Sequence, residues 1–87
     1  MVQFIFSKSN RKNKKYKVIV KFKSKTKKDE IYNFGDNRYG QFRDSTPLKL
    51  YSNKDHGDTK RQKSYFARHG KAKKYSAKYF SHRYLWK

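Results

Sequence analysis

Residues 15–23, KYKVIVKFK, alternate between apolar and cationic side chains along their length. Successive side chains of a β-strand point to opposite faces of its sheet, so the segment predicts a strand with one buried face and one cationic face. The face predicted to be buried carries Tyr16, Val18, Val20 and Phe22. The opposite face carries Lys15, Lys17, Ile19, Lys21 and Lys23.

Two further segments have the composition of strands and flank this one. VQFIF, residues 2–6, is dense in β-forming residues and directs Val2, Phe4 and Phe6 to one side with Ile5 on the other. After the turn segment SKTKK, the run DEIYNFG has Tyr32 and Phe34 on one face and ends at a glycine. Residues 1–35 therefore predict a three-stranded antiparallel meander.

Residues 36–57 are rich in aspartate, asparagine, glycine, serine and proline, which favour turns over regular structure. A loop of this length is uncommon in a compact domain unless it has a function. We expect Leu48, Leu50 and Tyr51 to attach the loop to the core. We also expect it to behave as an extended arm that a partner orders.

The remaining residues, 58–87, predict two short helices. Asp58 or Thr59 can begin the first helix, Gly70 can end it, and Ser76 can cap a second helix that runs to the C-terminus. The first helix has one apolar stripe formed by Gln62, Tyr65, Phe66 and His69. The second has Ala77, Phe80 and Tyr84 on one side, with Tyr79 and Leu85 alongside. Helical spacing favours packing of these side chains on the sheet over use as ligand platforms. The fold class is therefore α+β, with one domain over residues 1–87.

The chain carries 25 Lys and Arg against 6 Asp and Glu, a formal net charge of +19. The cationic residues are concentrated at the two ends, and all the acidic residues lie between them. Lysines on a sheet face can simply keep an edge-rich sheet soluble, or they can face an anion. The residues predicted to bind an anionic partner are Lys12, Lys14, Lys15, Lys17, Lys21, Lys23, Lys60, Arg61, Lys63, Arg68, Lys71, Lys73, Lys74 and Arg83.

The absence of cysteine excludes a disulfide framework and a thiolate metal site. It favours a reducing compartment or the inside of a particle. The apolar run at the N-terminus, MVQFIF, is too short for a signal-peptide core or a membrane span. We expect no transmembrane segment.

The single cluster of residue types used in catalysis is Asp55-His56-Gly57-Asp58. A metal site needs three or more convergent ligands, and His69 and His82 are distant in sequence. The cluster is better explained by Asp58 as a helix cap. We expect no catalytic residue, no metal and no cofactor, and hence no enzyme activity. His69 and His82 are predicted to be helix residues near the core.

Part of the chain resembles a family of viral proteins. The resemblance covers residues 34–86 and rests on Phe34-Gly35, Tyr39, Phe42, His56-x-Asp58, Lys60-Arg61, Tyr65, Arg68-His69, Tyr75-Ser76-Ala77, Phe80 and Tyr84-Leu85-Trp86. In order and spacing these residues are similar to small basic proteins of unknown function encoded by large double-stranded DNA viruses of algae and protists. The resemblance implies a non-enzymatic protein associated with the virion.

Two functions follow as expectations. The first is a minor capsid protein that is made in the host cytoplasm and cements neighbouring capsid subunits, meeting acidic protein surfaces or anionic lipid headgroups. The alternative is a virion protein that binds and condenses DNA without sequence preference, because lysine outnumbers arginine and base readout relies on arginine. Trp86 is predicted to anchor a protein partner, since the helical register turns it away from Phe80 and Tyr84.

Overall fold

In the computed structural model, which describes residues 2–87, three strands form one antiparallel sheet. The strands are β1 (Val2–Lys8), β2 (Lys14–Phe22) and β3 (Glu30–Asp36), in the order β1-β2-β3. Two helices follow, α1 (Thr59–His69) and α2 (Ala77–Leu85). The α+β class and the meander are confirmed. Met1, the first residue of the predicted meander segment, lies outside the described residues.

The predicted inner face of the sheet is also confirmed. Phe4 pairs with Val20 and Phe6 with Val18 between β1 and β2. Across β2 and β3, Tyr16 pairs with Phe34. The fully buried core consists of Tyr16, Val18, Val20, Phe34, Phe80 and Leu85.

Both helices begin at the predicted residues and α1 ends at Gly70 as predicted, whereas α2 ends at Leu85, short of the C-terminus to which we expected it to run. The Asp58 carboxylate accepts hydrogen bonds from the backbone N–H groups of Lys60 and Arg61, at 2.9 and 3.2 Å. Gly70 ends α1 with a φ of 63°, in the left-handed region that glycine adopts at little cost. The Ser76 hydroxyl accepts from the N–H of Tyr79 at 3.1 Å and starts α2.

Of the two helices in the part of the chain that the structure describes, only α2 covers the inner face of the sheet. Phe80 and Leu85 are its buried residues. Leu85 comes so close to β3 that a Cβ on Gly35 would lie 2.8 Å from its Cδ1 atom. We expected Phe66 of α1 to pack on the sheet, and this is wrong. Its ring lies 4.9 Å from that of His82 instead, because α1 packs on α2.

The loop of residues 36–57 is attached to the sheet by polar side chains. Leu48 and Leu50 are exposed, so the prediction that they pin the loop is wrong, whereas Tyr51 does pack against the core. Gln41, Asp44 and Thr46 are buried instead. A short 3-10 helix, Ser52–Lys54, interrupts the loop. The segment is folded onto the sheet and is not the extended arm that we expected.

Asp44 is the centre of this attachment. Its Oδ2 atom accepts from the Tyr16 hydroxyl at 2.5 Å and from the Tyr51 N–H at 3.1 Å. Its Oδ1 atom accepts from the hydroxyl and the N–H of Thr46, at 2.6 and 3.0 Å. Burial raises the pKa of Asp44, but the hydrogen bonds from Thr46 and Tyr16 outweigh burial, and the net pKa lies below its ordinary value.

Lys15 does not lie on an exposed cationic face as predicted. Its side chain is 1% exposed, and its Nζ donates a hydrogen bond of 2.5 Å to Oε1 of Gln41. Lys15 is buried because the loop of residues 36–57 folds over this end of β2. Gly35, which lies beside Lys15, has no side chain to displace it. Burial, aided by the nearby charge of Lys54, lowers the pKa of Lys15 from 10.5 to about 8.

The lowered pKa of Lys15 predicts a pH-dependent stability. Between pH 8 and 10.5 the unfolded chain holds the Lys15 proton more tightly than the folded chain does. The free energy of unfolding should therefore rise with pH across this window, by about 1 to 3 kcal/mol in total. Urea unfolding at pH 7, 8 and 9.5 measures it.

The control for this prediction is a pair of variants. Lys15→Met should lose most of the rise, whereas Lys17→Met, on the outward face of the same strand, should keep it. Equal slopes in the two variants would show that general charge repulsion, and not the burial of Lys15, causes the pH dependence.

A basic cleft lined by aromatic side chains

An open cleft of about 750 Å³ lies where the C-terminal end of β3 meets both helices and the loop. Its apolar wall includes Phe34, Ala77 and Leu85. The α1 wall presents Arg61, Tyr65 and Arg68, which have helical i, i+4, i+7 spacing, and His69. The α2 wall presents Lys78 and Ser81 on the same side of the helix as Leu85. The cleft is thus built from one face of each helix.

Cations dominate the charge of the cleft. Its lining contains five Lys and Arg side chains, Lys14, Lys15, Arg61, Arg68 and Lys78, and a single carboxylate, that of Asp36. The apolar wall of the cleft has a low dielectric constant, which strengthens the attraction of these five cations for anions.

The one carboxylate in the lining is already neutralised. The Nε and Nη2 atoms of Arg38 donate to Oδ1 and Oδ2 of Asp36, at 3.0 and 2.8 Å. These hydrogen bonds lower the pKa of Asp36 to about 2, so it stays ionised and paired with Arg38 at neutral pH. Among the described residues no other carboxylate lies in the lining, although Nε of Arg61 lies 3.6 Å from Oδ2 of Asp58 outside it.

Trp86 has a partner in its own chain. Its ring stacks on that of Tyr65, with the centroids 4.3 Å apart and the planes 8° from parallel. The Trp86 carbonyl also accepts a hydrogen bond from Nε2 of Gln62 at 2.8 Å. The helical register that we expected to turn Trp86 away from Phe80 and Tyr84 does not extend to it, because α2 ends at Leu85. The role of Trp86 as an anchor for a protein partner stays a prediction. Trp86 belongs to the lining of the cleft.

A hydrogen-bond network holds α1 to α2 below this stack. The Tyr65 hydroxyl lies 3.0 Å from Oγ of Ser81 and 2.9 Å from Nδ1 of His82. Nε2 of His82 lies 2.8 Å from the carbonyl oxygen of Gly70, so this nitrogen carries the proton and donates. Burial raises the pKa of Tyr65. The network fixes the width of the cleft by fixing the two helices together.

The two helical histidines lie in different environments. His82 is half-buried in the network, as predicted, but His69 is exposed at the edge of the cleft. Loss of hydration and the charges of Arg68 and Lys78 lower the pKa of His69. At neutral pH it is an uncharged side chain between two cations.

Sequence reasoning missed several residues of the cleft, among them Tyr39, Lys78 and His69. Tyr39, which is 64% exposed at its edge, has the Arg38 guanidinium 5.6 Å from its ring centre. Lys78 could have been found, because it shares a helix face with Leu85. His69 was assigned to the core. No local signal identifies Tyr39, since the fold of the loop brings it to this place.

Most of the predicted anion-binding residues lie outside the cleft, and only Lys14, Lys15, Arg61 and Arg68 line it. Lys12 lies in the β1–β2 turn, Lys17 and Lys21 on the outer face of β2, and Lys23 just after that strand. Lys60 and Lys63 are exposed on α1, Lys71, Lys73 and Lys74 lie between the helices, and Arg83 is exposed on α2. These residues form a dispersed positive surface.

The cluster Asp55-His56-Gly57-Asp58 makes hydrogen bonds that support the local fold. Nδ1 of His56 accepts from the N–H of Asp58 at 3.0 Å. Oδ1 of Asp55 accepts from the N–H of Asp44 at 2.8 Å. Within residues 2–87, no three histidine or carboxylate side chains come together as a metal site would require.

Comparison with protein-family models, curated proteins and solved structures gives no match to this chain. The resemblance to giant-virus proteins therefore stays a prediction. Neither helix in the described part of the chain has the length and apolar character needed to cross a membrane.

Proposed function

We propose that this protein binds single-stranded nucleic acid in the basic cleft, without sequence preference and without catalysing a reaction. The observation that supports the proposal is the charge of the cleft: Lys14, Arg61, Arg68 and Lys78 surround a cavity whose one carboxylate is paired with Arg38. Phosphate groups are the anions best suited to such a group of lysine and arginine side chains.

The size of the cleft favours a single strand over a duplex. A volume of about 750 Å³ lies in the range of small-molecule pockets, and it can admit a strand of a few nucleotides but not a double helix. Unpaired bases gain affinity by stacking on aromatic rings. Tyr39, at the edge of the cleft, offers an exposed ring for this purpose. Duplex DNA would be limited to the dispersed surface lysines.

The composition supports binding without sequence preference. Sequence readout depends on arginine, asparagine and glutamine placed against base edges. The cleft offers lysines and arginines that can contact phosphates, and Tyr39 offers an exposed ring that accepts any base.

The proposal is tested by measuring affinity as a function of salt. Fluorescence anisotropy with oligo-dT, a mixed-sequence strand, an abasic strand of equal length and a duplex compares the ligands. We expect equal affinity for the two base-containing strands and a log–log salt slope of about −3, since each of four neutralised phosphates contributes about −0.7 on a single strand. The abasic strand should bind about tenfold more weakly because it cannot stack.

The duplex should be released by about 0.2–0.3 M salt. A flat salt response, or a duplex that binds as tightly as the strand at every salt concentration, would exclude the cleft as a single-strand site.

As a second function, we propose the minor capsid role in a large DNA virus particle. One observation favours it: the outer face of the sheet carries exposed aliphatic side chains, which binding to nucleic acid does not require. In purified particles disrupted in graded salt, retention with the shell supports this role, and retention with the genome supports the nucleic-acid role alone.

A further inference from the structure

The outer face of the sheet has a row of three isoleucines across all three strands. Ile5 of β1 pairs directly with Ile19 of β2, and Ile19 pairs with Ile31 of β3. Ile31 is 59% exposed and Ile5 is 37% exposed. Directly opposed side chains on neighbouring strands lie close enough to touch, so the three side chains form one continuous apolar strip.

The fold does not use this strip. The core lies on the other face of the sheet, where α2 covers Val18, Val20 and Phe34. Isoleucines scattered singly on a surface need no explanation, but a row that crosses a whole sheet is a contiguous patch. Such patches mark interaction sites.

The surroundings of the strip indicate the charge of its partner. On one side of it Lys17 pairs with Ser7 and with Asn33, and on the other side Lys21 pairs with Gln3. None of these outward side chains within the strands is acidic, and none is aromatic. The strip is therefore an apolar centre with cations on both sides.

We propose that this face is a docking surface for a second protein whose contact region has an apolar centre and carboxylates at its rim. The inference does not depend on nucleic-acid binding in the cleft, because the cleft lining contains none of the three isoleucines.

Two other occupants fit the face less well. A second copy of the chain would bring Lys17 and Lys21 against lysines of the same kind, with a net charge of +19 on each copy. Nucleic acid would find no ring on which a base could stack. An acidic protein satisfies both the apolar strip and its cationic flanks.

The experiment selects peptides from a phage-displayed random library on the immobilised full-length protein. We expect the enriched peptides to combine apolar residues with aspartate and glutamate. Affinities of synthetic copies are then measured for the wild type and for Ile31→Asp, which places a carboxylate in the apolar strip. We expect a loss on the order of 100-fold.

Two variants serve as controls, and a third stands in reserve for Ile31→Asp. Ile31→Val keeps the aliphatic surface and should bind within about threefold of the wild type. Leu50→Asp makes the same chemical change at an exposed residue of the loop, whose N–H donates a hydrogen bond to Tyr16 of the inner face, and should leave binding to the outer face unchanged. If Ile31→Asp fails to fold, Ile31→Thr replaces it, because threonine keeps the β-branched shape while it removes apolar surface.

Several results would overturn the proposal. These are the absence of enriched peptides, enriched peptides without acidic residues, and peptides that bind Ile31→Asp as tightly as the wild type. A wild-type dimer in sedimentation velocity that Ile31→Asp abolishes would assign the face to a second copy instead. Oligo-dT affinity should stay within about threefold in Ile31→Asp, so failure of this surface and failure of the cleft are separable.

Discussion

Val20→Asp is expected to leave the protein unfolded at 25 °C. Val20 is fully buried in the core on the inner face of β2, where an aspartate carboxylate would have no partner. An unpaired buried charge costs about 4 kcal/mol or more, and a domain this small has a total stability of roughly 5 kcal/mol. Circular dichroism should show loss of the cooperative thermal transition.

The matched control for Val20→Asp is the next residue. Lys21→Asp introduces the same side chain on the exposed outer face of β2 and lowers the net charge, so it should melt within a few degrees of the wild type. If the two variants melt alike, the assignment of the sheet faces is wrong.

Asp44→Ala is expected to cost about 3–5 kcal/mol, since it leaves the donors of Tyr16, Thr46 and Tyr51 without their common acceptor. The loop should detach from the sheet, and backbone amides of residues 44–55 should lose protection in hydrogen exchange. Urea unfolding measures the loss of free energy. Asp29→Ala, which removes an exposed carboxylate, is the control and should change stability by less than about 0.5 kcal/mol.

Acid should reproduce the effect of Asp44→Ala. Because the pKa of Asp44 is lower in the folded chain than in the unfolded chain, its contribution is present above the unfolded value and is lost as pH falls through the folded value. Asp44→Ala should therefore lose less stability than the wild type on acidification. If Asp44→Ala unfolds at the same urea concentration as the wild type at neutral pH, the Asp44 carboxylate does not hold the loop on the sheet.

The features that sequence alone predicts well are the local ones. Strand alternation around Val18 and the capping residues Asp58, Gly70 and Ser76 each act within a few positions of the chain. A strand or a helix end is specified by its own residues, so these predictions did not depend on the rest of the fold.

The features that sequence missed depend on pairs far apart in the chain. The contact of Tyr16 with Asp44 spans 28 residues, and that of Lys15 with Gln41 spans 26. Leu48 was favoured as the attachment point because apolar residues are usually buried, but polar side chains that find partners can be buried as well. Nothing near Lys15 in the sequence reveals the loop that covers it.

Sequence could predict only the part of the cleft that local helix spacing determines. Arg61 and Arg68 share a helix face with Tyr65, and this spacing is visible in the sequence. Their position opposite Lys78 depends on the link between the helices, where Tyr75 adopts a positive φ of 56°. Such a conformation is uncommon for a non-glycine residue and is not predictable from a local pattern.

The central claim, that the cleft and not the overall charge binds nucleic acid, is tested by two variants with equal changes in charge. Arg68→Glu with Lys78→Glu reverses two cations of the cleft, and Lys60→Glu with Lys63→Glu reverses two exposed cations outside its lining. In oligo-dT anisotropy at fixed salt, the cleft pair should lose about 100-fold or more in affinity, and the outer pair less than about tenfold. Equal losses in the two variants would contradict the account and leave only general electrostatic attraction.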